Sequence, residues 1–552
     1  MARESHLRAA LRQVGGLAAI AALASCRTIP AGPSPDPAPP GNGVAGIDPA
    51  TAREFNIPIL FTSDEHGWLE PHLIENGTRF EGGMANLLGL WRARFGYQPE
   101  RFLVLSGGDC WTGPFESTVL MGAPMVEVMN AIGYDAQIVG NHDFDFGTDE
   151  LALRASEARF PLLAANLFRI GDQSQPPYAV SSTIVRVGAG RVGVIGLANV
   201  DTAVLTHSRN VAGLSFTDYP GALRREVAAL RAQAADMVVV AVHQEVQELL
   251  PLLPLFRELG ISFVGSGHSH LASMTVDPGE SPGPEDDIVL CNPGSYARSF
   301  CHLSFTYRGT PARLVNHFEE IVRVEGAAAD PPFQPAPEIT AIIHRAADLA
   351  SASGAEKLAV TLHGMKRIDP DQRFGHVIVD AWLDALPYVQ VAITNTGGIR
   401  QDIDPGDITM ATLVGAMPFN NYLIVVELTG AQLKEVLSHP QSIAGGVRYR
   451  YRCDEQRQRQ IIDAVDGNNA PIADDRIYKV VVNEFMYRGG DRYRLREYDP
   501  TPEETSVHWR DPVARYLREM TRRGQTADVP ADGRAEAIDG DHCERRDPGS
   551  GR

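Results

Sequence analysis

Five apolar runs in the first half of the chain each end in residues able to hold a metal ion. Ile57-Pro58-Ile59-Leu60-Phe61 leads to Ser63-Asp64-Glu65-His66, and Phe102-Leu103-Val104-Leu105 to Gly107-Gly108-Asp109. Gln137-Ile138-Val139 leads to Gly140-Asn141-His142-Asp143-Phe144-Asp145, Met237 to Val242 to His243, and Ile261-Ser262-Phe263-Val264 to Gly267-His268-Ser269-His270. In D-x-H and H-x-H, alternate residues lie on one side of an extended chain. Imidazole and carboxylate suit zinc, manganese, iron or cobalt. Asp64, His66, Asp109, Asn141, His243, His268 and His270 are more ligands than one tetrahedral zinc needs. They suffice for two divalent ions sharing a carboxylate. Such a pair lowers the pKa of bound water and clamps the oxygens of an in-line displacement, so phosphoester hydrolysis is the chemistry to expect. Any one of these residues alone reads as a strand-end cap; five ordered groups do not. Glu65 and Asp143 read as structural, Asp143 through loop hydrogen bonds.

To bring these residues to one place, the runs must be strands of a common layer. They alternate with helical patterns at Ala222 to Ala235 and Gln247 to Leu259, as does a further run, Val192 to Ile195. That alternation predicts an α/β domain with a buried sheet and its ligands at the strands' carboxyl ends. Pro331 to Pro337 reads as an interdomain linker, followed by a helix over Glu338 to Ala350 and a second α/β region. The divisions expected are a signal at 1–26, a Pro-rich tether at 27–54, a catalytic domain at 55–325, a linker and helix at 326–350, a second domain at 351–523 and a disordered tail at 524–552.

The first 26 residues read as an address. Arg3, Arg8 and Arg12 precede a short apolar run, Val14 to Ser25, ending in Leu23-Ala24-Ser25-Cys26. This resembles a bacterial lipobox, with Cys26 acylated and membrane contact through that anchor only. The mature chain is expected outside the cytoplasm, facing the periplasm or on the cell surface. The chain has 552 residues, six of them cysteine, and no CxxC. Losing Cys26 to lipid leaves an odd number, so a disulfide framework is not expected, and a Cys291–Cys301 bridge is left open. The net charge of −19 excludes non-specific binding of a nucleic-acid polymer as a default role.

The order D-x-H, GD, GNH[DE], H, GHxH resembles the calcineurin-like metallophosphoesterases. GNHDFDFG (140–147) and FPLLAAN (160–166) are similar to the bacterial and ecto 5′-nucleotidase and UDP-sugar hydrolase family. The resemblance covers roughly residues 55 to 520. It implies a metallophosphoesterase β-sandwich flanked by helices plus a smaller α/β 5′-nucleotidase C-terminal domain. It makes Asp109 the bridge, with Asp64, His66 and His270 at one metal and Asn141, His243 and His268 at the other. His142 would stabilise the phosphoryl transition state or the leaving group, oriented by Asp145. Glu245 departs from the pattern, which has a small residue there.

The distal region carries N-x-G-G-I-R at Asn395 to Arg400, PF-x-N at Pro418 to Asn421 and N-x-F-x-x-x-GGD at Asn483 to Asp491. The resemblance implies that Phe419 and Phe485 sandwich a base, that Asp491 accepts ribose hydroxyls, and that Asn395 and Arg400 contact the phosphate or ribose side. Aromatic faces stack on any base, and a guanidinium fork suits phosphate. Arg373 is the expected second phosphate arginine, with Arg367 the alternative, and Tyr487 competes with Phe485 for the stacking role. Arg492 stands where the family has Gly. The expected activity is release of phosphate from 5′-nucleotides, with UDP-sugars or 2′,3′-cyclic nucleotides as further substrates. The alternatives are a sulfate-thiol ester hydrolase on the same fold and a non-catalytic tethered nucleotide-binding lipoprotein. Gly279-Glu280-Ser281-Pro282-Gly283 fits G-x-S-x-G but lacks the strand and helix of a nucleophile elbow.

Overall fold

Glu54–Thr62 shows why the first run is apolar almost throughout: it is buried on both faces. Ile57, Ile59 and Phe61 enter a core shared with Val192, Val194, Val239 and Phe263, while Leu60 points to helices on the other side. Strands covered on both faces read as continuous hydrophobic runs. The computed structural model describes residues 53–74, 79–281, 283–325, 333–367, 372–454, 459–529, 533–538 and 543. The expected signal with Cys26, and the tether up to residue 52, lie outside the described residues. Among the described residues no helix is long and apolar enough to cross a membrane.

Two six-stranded sheets face each other across that core. The first runs Arg313–Arg323, Ser299–Arg308, Glu54–Thr62, Leu103–Ser106, Ala136–Ile138, Leu162–Leu163. The second runs Ser273–Asp277, Ile288–Asn292, Phe263–Ser266, Met237–Val242, Gly190–Leu197, Ser182–Val187. The inner strands of each are parallel, so their carboxyl ends, where the candidate ligands follow, share one edge. Met84–Phe95 and Ala123–Ile132 cover the first sheet, and Tyr219–Ala232 the second. The Gln247 to Leu259 pattern is not one helix. It is Val246–Leu249, a 3₁₀ turn Leu250–Leu252, and Leu253–Glu258, broken where Pro251 and Pro254 remove backbone donors.

The helix expected at Glu338 to Ala350 spans Pro337–Gly354, with Pro in its first turn. Beyond it, a five-stranded sheet runs Ser442–Gly445, Val391–Asn395, Ile477–Asn483, Tyr422–Thr429, Glu503–His508. Arg373–Ala385 packs on one face of it through Val377, Ile378 and Trp382, and Gly430–Ser438 on the other through Leu433 and Leu437.

The described part of the tail, residues 524–529, 533–538 and 543, is a correction. Ala535–Ala537 pairs in parallel with Val447–Cys453, and Arg534 forms an ion pair with Asp380 at 2.8 Å. The low apolar content hid this because the segment is held by ladder bonds and a covalent bond. The bridge left open forms, Cys291 to Cys301, and the expectation of no disulfide framework is corrected by a second, Cys453 to Cys543 across 90 positions. Cys110 is then the odd residue, buried as a free thiol that burial and Glu65 push up. Cys453→Ser is expected to lower unfolding free energy by about 2–5 kcal/mol. Denaturant titration checks it, with limited proteolysis expected to cut first near residues 533–543.

Candidate metal and nucleotide site

Five of the seven candidate ligands sit in left-handed backbone: Asp64 (φ 53°), His66 (46°), Asp109 (58°), His268 (72°) and His270 (60°). Non-glycine residues adopt this region at a cost and cluster in it at functional sites. The turns are tied to one another: Asp64 N donates to Gly108 O at 2.9 Å and His66 N to Asp109 O at 2.9 Å. Gly140 passes so close that a Cβ there would lie 2.2 Å from Asp109 Oδ1, which explains the glycine.

The side chains form two groups, Asp64 with His66 and His270, and Asp109 with His243 and His268, each with ligand atoms within 4.8 Å of one another. Asp109 stands between them, with Oδ2 2.9 Å from His243 Nε2 and 3.8 Å from His66 Nε2. Backbone carbonyls fix the rings. His66 Nδ1 lies 2.8 Å from Thr112 O, and His243 Nδ1 lies 2.8 Å from Gly107 O. Each Nε2 is thereby turned inward, the arrangement that orients metal-binding histidines. Asn141 Nδ2 donates to Leu205 O at 3.3 Å, while its Oδ1 is buried without a hydrogen-bond partner.

Electrostatics supply the test of fit. Burial lowers His66, His268 and His270 well below the ordinary imidazole value, His268 to about 3. Neutral rings keep a lone pair for a ligand. Burial raises Asp64 to about 7 against the pull of His243, with Asp109 and Glu65 adding to the rise. Burial alone would lower His243, yet Asp109 and Asp64 carry it up to about 10. Crowded buried carboxylates, inward lone pairs and an orphaned amide oxygen form a donor set that divalent cations complete.

Beside the groups, His142 Nδ1 lies 2.8 Å from Asp145 Oδ2, and His142 N donates to Asp109 Oδ1 at 2.7 Å. Burial opposes its charge, but Asp145 and Asp109 outweigh it and raise its pKa. Asp143 accepts from Gly140 N, Cys110 N and Asp109 N at 2.8, 2.9 and 3.1 Å, a structural role. Glu65 accepts from Ser106 Oγ at 2.9 Å and from the Cys110 thiol at 3.2 Å. Glu245 stands at the N-cap position of Val246–Leu249 without a side-chain capping hydrogen bond.

The second domain reaches this place. Arg400 Nη2 lies 3.0 Å from His66 Nε2, and its guanidinium sits 5.7 Å from the Phe419 ring centre. Phe419 stacks on His142 with centroids 5.4 Å apart. Asp491, in left-handed backbone at φ 53°, accepts from Asn395 Nδ2 at 2.7 Å, and Asn483 Nδ2 donates to Asn395 Oδ1 at 2.9 Å. Asn395 thus holds Asp491. Phe485 lies over Gly490, where a Cβ would meet its ring at 2.4 Å. Tyr487 is core, its hydroxyl donating to Asp499 O at 3.0 Å. Arg367 adds to burial, His66 and Arg400 in holding the His270 imidazole below its usual value, and its Nη1 donates to Tyr296 OH at 3.2 Å. Arg373 opens Arg373–Ala385 with its Nε buried.

Sequence reasoning missed Tyr296, whose ring meets His66 and His270 at 5.8 and 5.2 Å. Burial works to raise its phenol, but Arg367 and Arg400 draw it below the usual value. It also missed Thr206, which donates to Asp145 Oδ1 at 3.1 Å. Neither carries a spacing signal; chain folding alone brings them in.

Two facing sheets with Asp, His and Asn at one shared edge are met there by a smaller α/β domain. Residues 357–497 match the family described as 5′-nucleotidase, C-terminal domain. The chain is similar to the 5′-nucleotidase of Bos taurus, 25% identical over 548 residues, covering 89% of this chain and 92% of that one. It is 24% identical to the probable 5′-nucleotidase of Treponema pallidum, over 85% of this chain and 92% of the relative. The fold is that of the 5′-nucleotidase precursor from Thermus thermophilus (TM-score 0.75, 22% identity, 88% of this chain and 99% of that one). The sulfate thiohydrolase SoxB of Thermus thermophilus shares it (TM-score 0.69, 19% identity, 88% and 97%). The chain is thus similar to the 5′-nucleotidases along most of its length, and residues 357–497 match the model of their C-terminal domain.

Proposed function

We propose that the protein is a two-metal phosphoester hydrolase that releases phosphate from 5′-nucleotides outside the cytoplasm. One observation carries the reading: Arg400 and Phe419 of the second domain stand directly against His66 and His142 of the first. An anion-binding fork and a flat apolar face are what a nucleoside phosphate presents itself to. When bound, two divalent ions would supply an activated water and charge neutralisation at the phosphoryl group. Asp64, His66 and His270 would hold one and Asn141, His243 and His268 the other, with Asp109 shared.

The remaining roles belong to the chain. Asp145 takes the Nδ1 proton of His142 in a hydrogen bond, so Nε2 is the atom that donates to a phosphoryl or leaving-group oxygen. Arg400 grips phosphate oxygens, with Arg367 on the same side. Asp491 accepts vicinal ribose hydroxyls. Phe419 and Phe485 take the base. Two disulfides fit an oxidising compartment, in keeping with the Cys26 anchor.

A phosphate-release panel tests this: AMP, UMP, UDP-glucose, 2′,3′-cyclic AMP and 4-nitrophenyl phosphate, each with manganese, cobalt or zinc, plus a sulfate-thiol ester. No release from any nucleotide sinks the reading. Within the panel, Phe419→Ala is expected to raise nucleotide KM by about 5- to 100-fold, the worth of one stacked base. The KM for 4-nitrophenyl phosphate is expected to change far less, and equal effects would contradict stacking.

A further inference from the structure

The two domains also meet away from the metal groups, at a buried carboxylate. Glu484 is only 1% exposed, yet it receives two guanidinium groups and an imidazole. His207 Nε2 lies 3.0 Å away and Arg209 Nη2 2.7 Å away, both from the first domain. Arg488 Nη2, one helical turn on, lies at 2.7 Å. A carboxylate this enclosed is stable only when paired. If the domains part, Glu484 keeps Arg488 alone.

Both neighbours of this cluster belong to the site. On the second domain, Glu484 precedes Phe485 and follows Asn483, which holds Asn395 and through it Asp491. On the first domain, the segment carrying His207 and Arg209 also holds the catalytic pair. Thr206 donates to Asp145 Oδ1 at 3.1 Å, Asn210 Nδ2 donates to Asp145 O at 2.9 Å, and Leu205 O accepts from Asn141 at 3.3 Å. Asp201 and Arg492 extend the same contact as a looser pair at 3.7 Å. Arg492, which replaces the family's glycine, thus adds a cation on this seam.

Resting on the nucleotidase reading above, we propose that Glu484 is a positioning residue that latches the nucleoside-binding segment 483–491 to the segment 205–210 that braces Asp145 and Asn141. Its pairing favours the docked arrangement in which the base and ribose contacts face His142. Substrates held through a nucleoside gain from the latch. A small aryl phosphate, which engages neither Phe485 nor Asp491, gains little.

The test compares Glu484→Gln, His207→Gln, Arg209→Ala and the Glu484→Gln/His207→Gln double variant with wild type, on AMP and 4-nitrophenyl phosphate. Glu484→Gln is expected to lower kcat/KM for AMP about tenfold or more, chiefly through KM, and that for 4-nitrophenyl phosphate less than about threefold. His207→Gln is expected to lose less in the Glu484→Gln background than alone, because they share one interaction. Arg209 is 57% exposed, so Arg209→Ala serves if Glu484→Gln folds poorly, with the same selective loss at smaller size and unchanged Tm. Equal losses on both substrates, or strictly additive effects, overturn the latch while leaving the nucleotidase reading in place. A wild-type protein inactive on AMP removes both.

Discussion

Asp109→Asn is expected to reduce turnover by at least about a thousandfold on nucleotides and aryl phosphate alike, a loss of about 4 kcal/mol of transition-state stabilisation. The equality across substrates is the diagnostic part. Asp109 touches nothing that distinguishes one ester from another. Its Oδ2 lies 2.9 Å from His243 and 3.8 Å from His66, one imidazole from each metal-type group. Its Oδ1 accepts the His142 backbone amide at 2.7 Å. Replacing one oxygen by NH₂ removes the charge that two cations would share and turns a donor toward a ligand position. An amide oxygen can serve one ion; it serves two poorly. Bound metal is therefore expected to fall from two per chain toward one, measured by elemental analysis of the purified protein, alongside kcat/KM. Retention of two ions with activity within about tenfold of wild type would show that Asp109 is not the shared ligand.

The reason so much of this centre was legible in the sequence is geometric. A parallel strand ends where its apolar run ends, and the next two or three residues must lie at one edge of the sheet. Asp64, Asp109, Asn141, His243 and His268 each follow such a run, so sequence order alone gathers them. The second domain was legible through its glycine- and aromatic-containing loops, which carry Asn395, Arg400, Phe419 and Asp491. Other features depend on tertiary contacts that no spacing encodes. Tyr296 reaches His66 only because the turn after Ile288–Asn292 folds back over Asp64, whose carbonyl accepts the Tyr296 amide at 2.8 Å. Ala535–Ala537 and Cys543 sit in a segment too polar to suggest folding, because they are held by Cys453–Cys543 and the pairing with Val447–Cys453 rather than by a core of their own. Cysteine parity misled for a related reason: an odd count excludes complete pairing, yet it leaves room for two bridges beside a buried Cys110.

His142→Ala is expected to cost about 100- to 10,000-fold in kcat, the range for a positioned proton donor. The distribution of that loss over substrates separates the two roles open to it. If Nε2 donates to the leaving oxygen, the loss should grow with the basicity of that oxygen, so AMP should suffer far more than 4-nitrophenyl phosphate, whose phenolate leaves readily without a proton. If Nε2 instead stabilises the phosphoryl oxygens, whose charge is common to every substrate, the two losses should match. Asp145 and Asp109 raise the His142 pKa despite its burial, which suits either role. Asp145→Asn is the companion measurement. It preserves the size of the side chain at 2.8 Å from Nδ1 while removing the charge that raises the ring. Its effect should be smaller than that of His142→Ala and should follow the same substrate pattern, because Asp145 acts only through the imidazole. A variant at Asp145 with the opposite pattern, or His142→Ala activity within about threefold of wild type on AMP, would remove His142 from the chemistry and leave its stacking against Phe419, at 5.4 Å between centroids, as its remaining role.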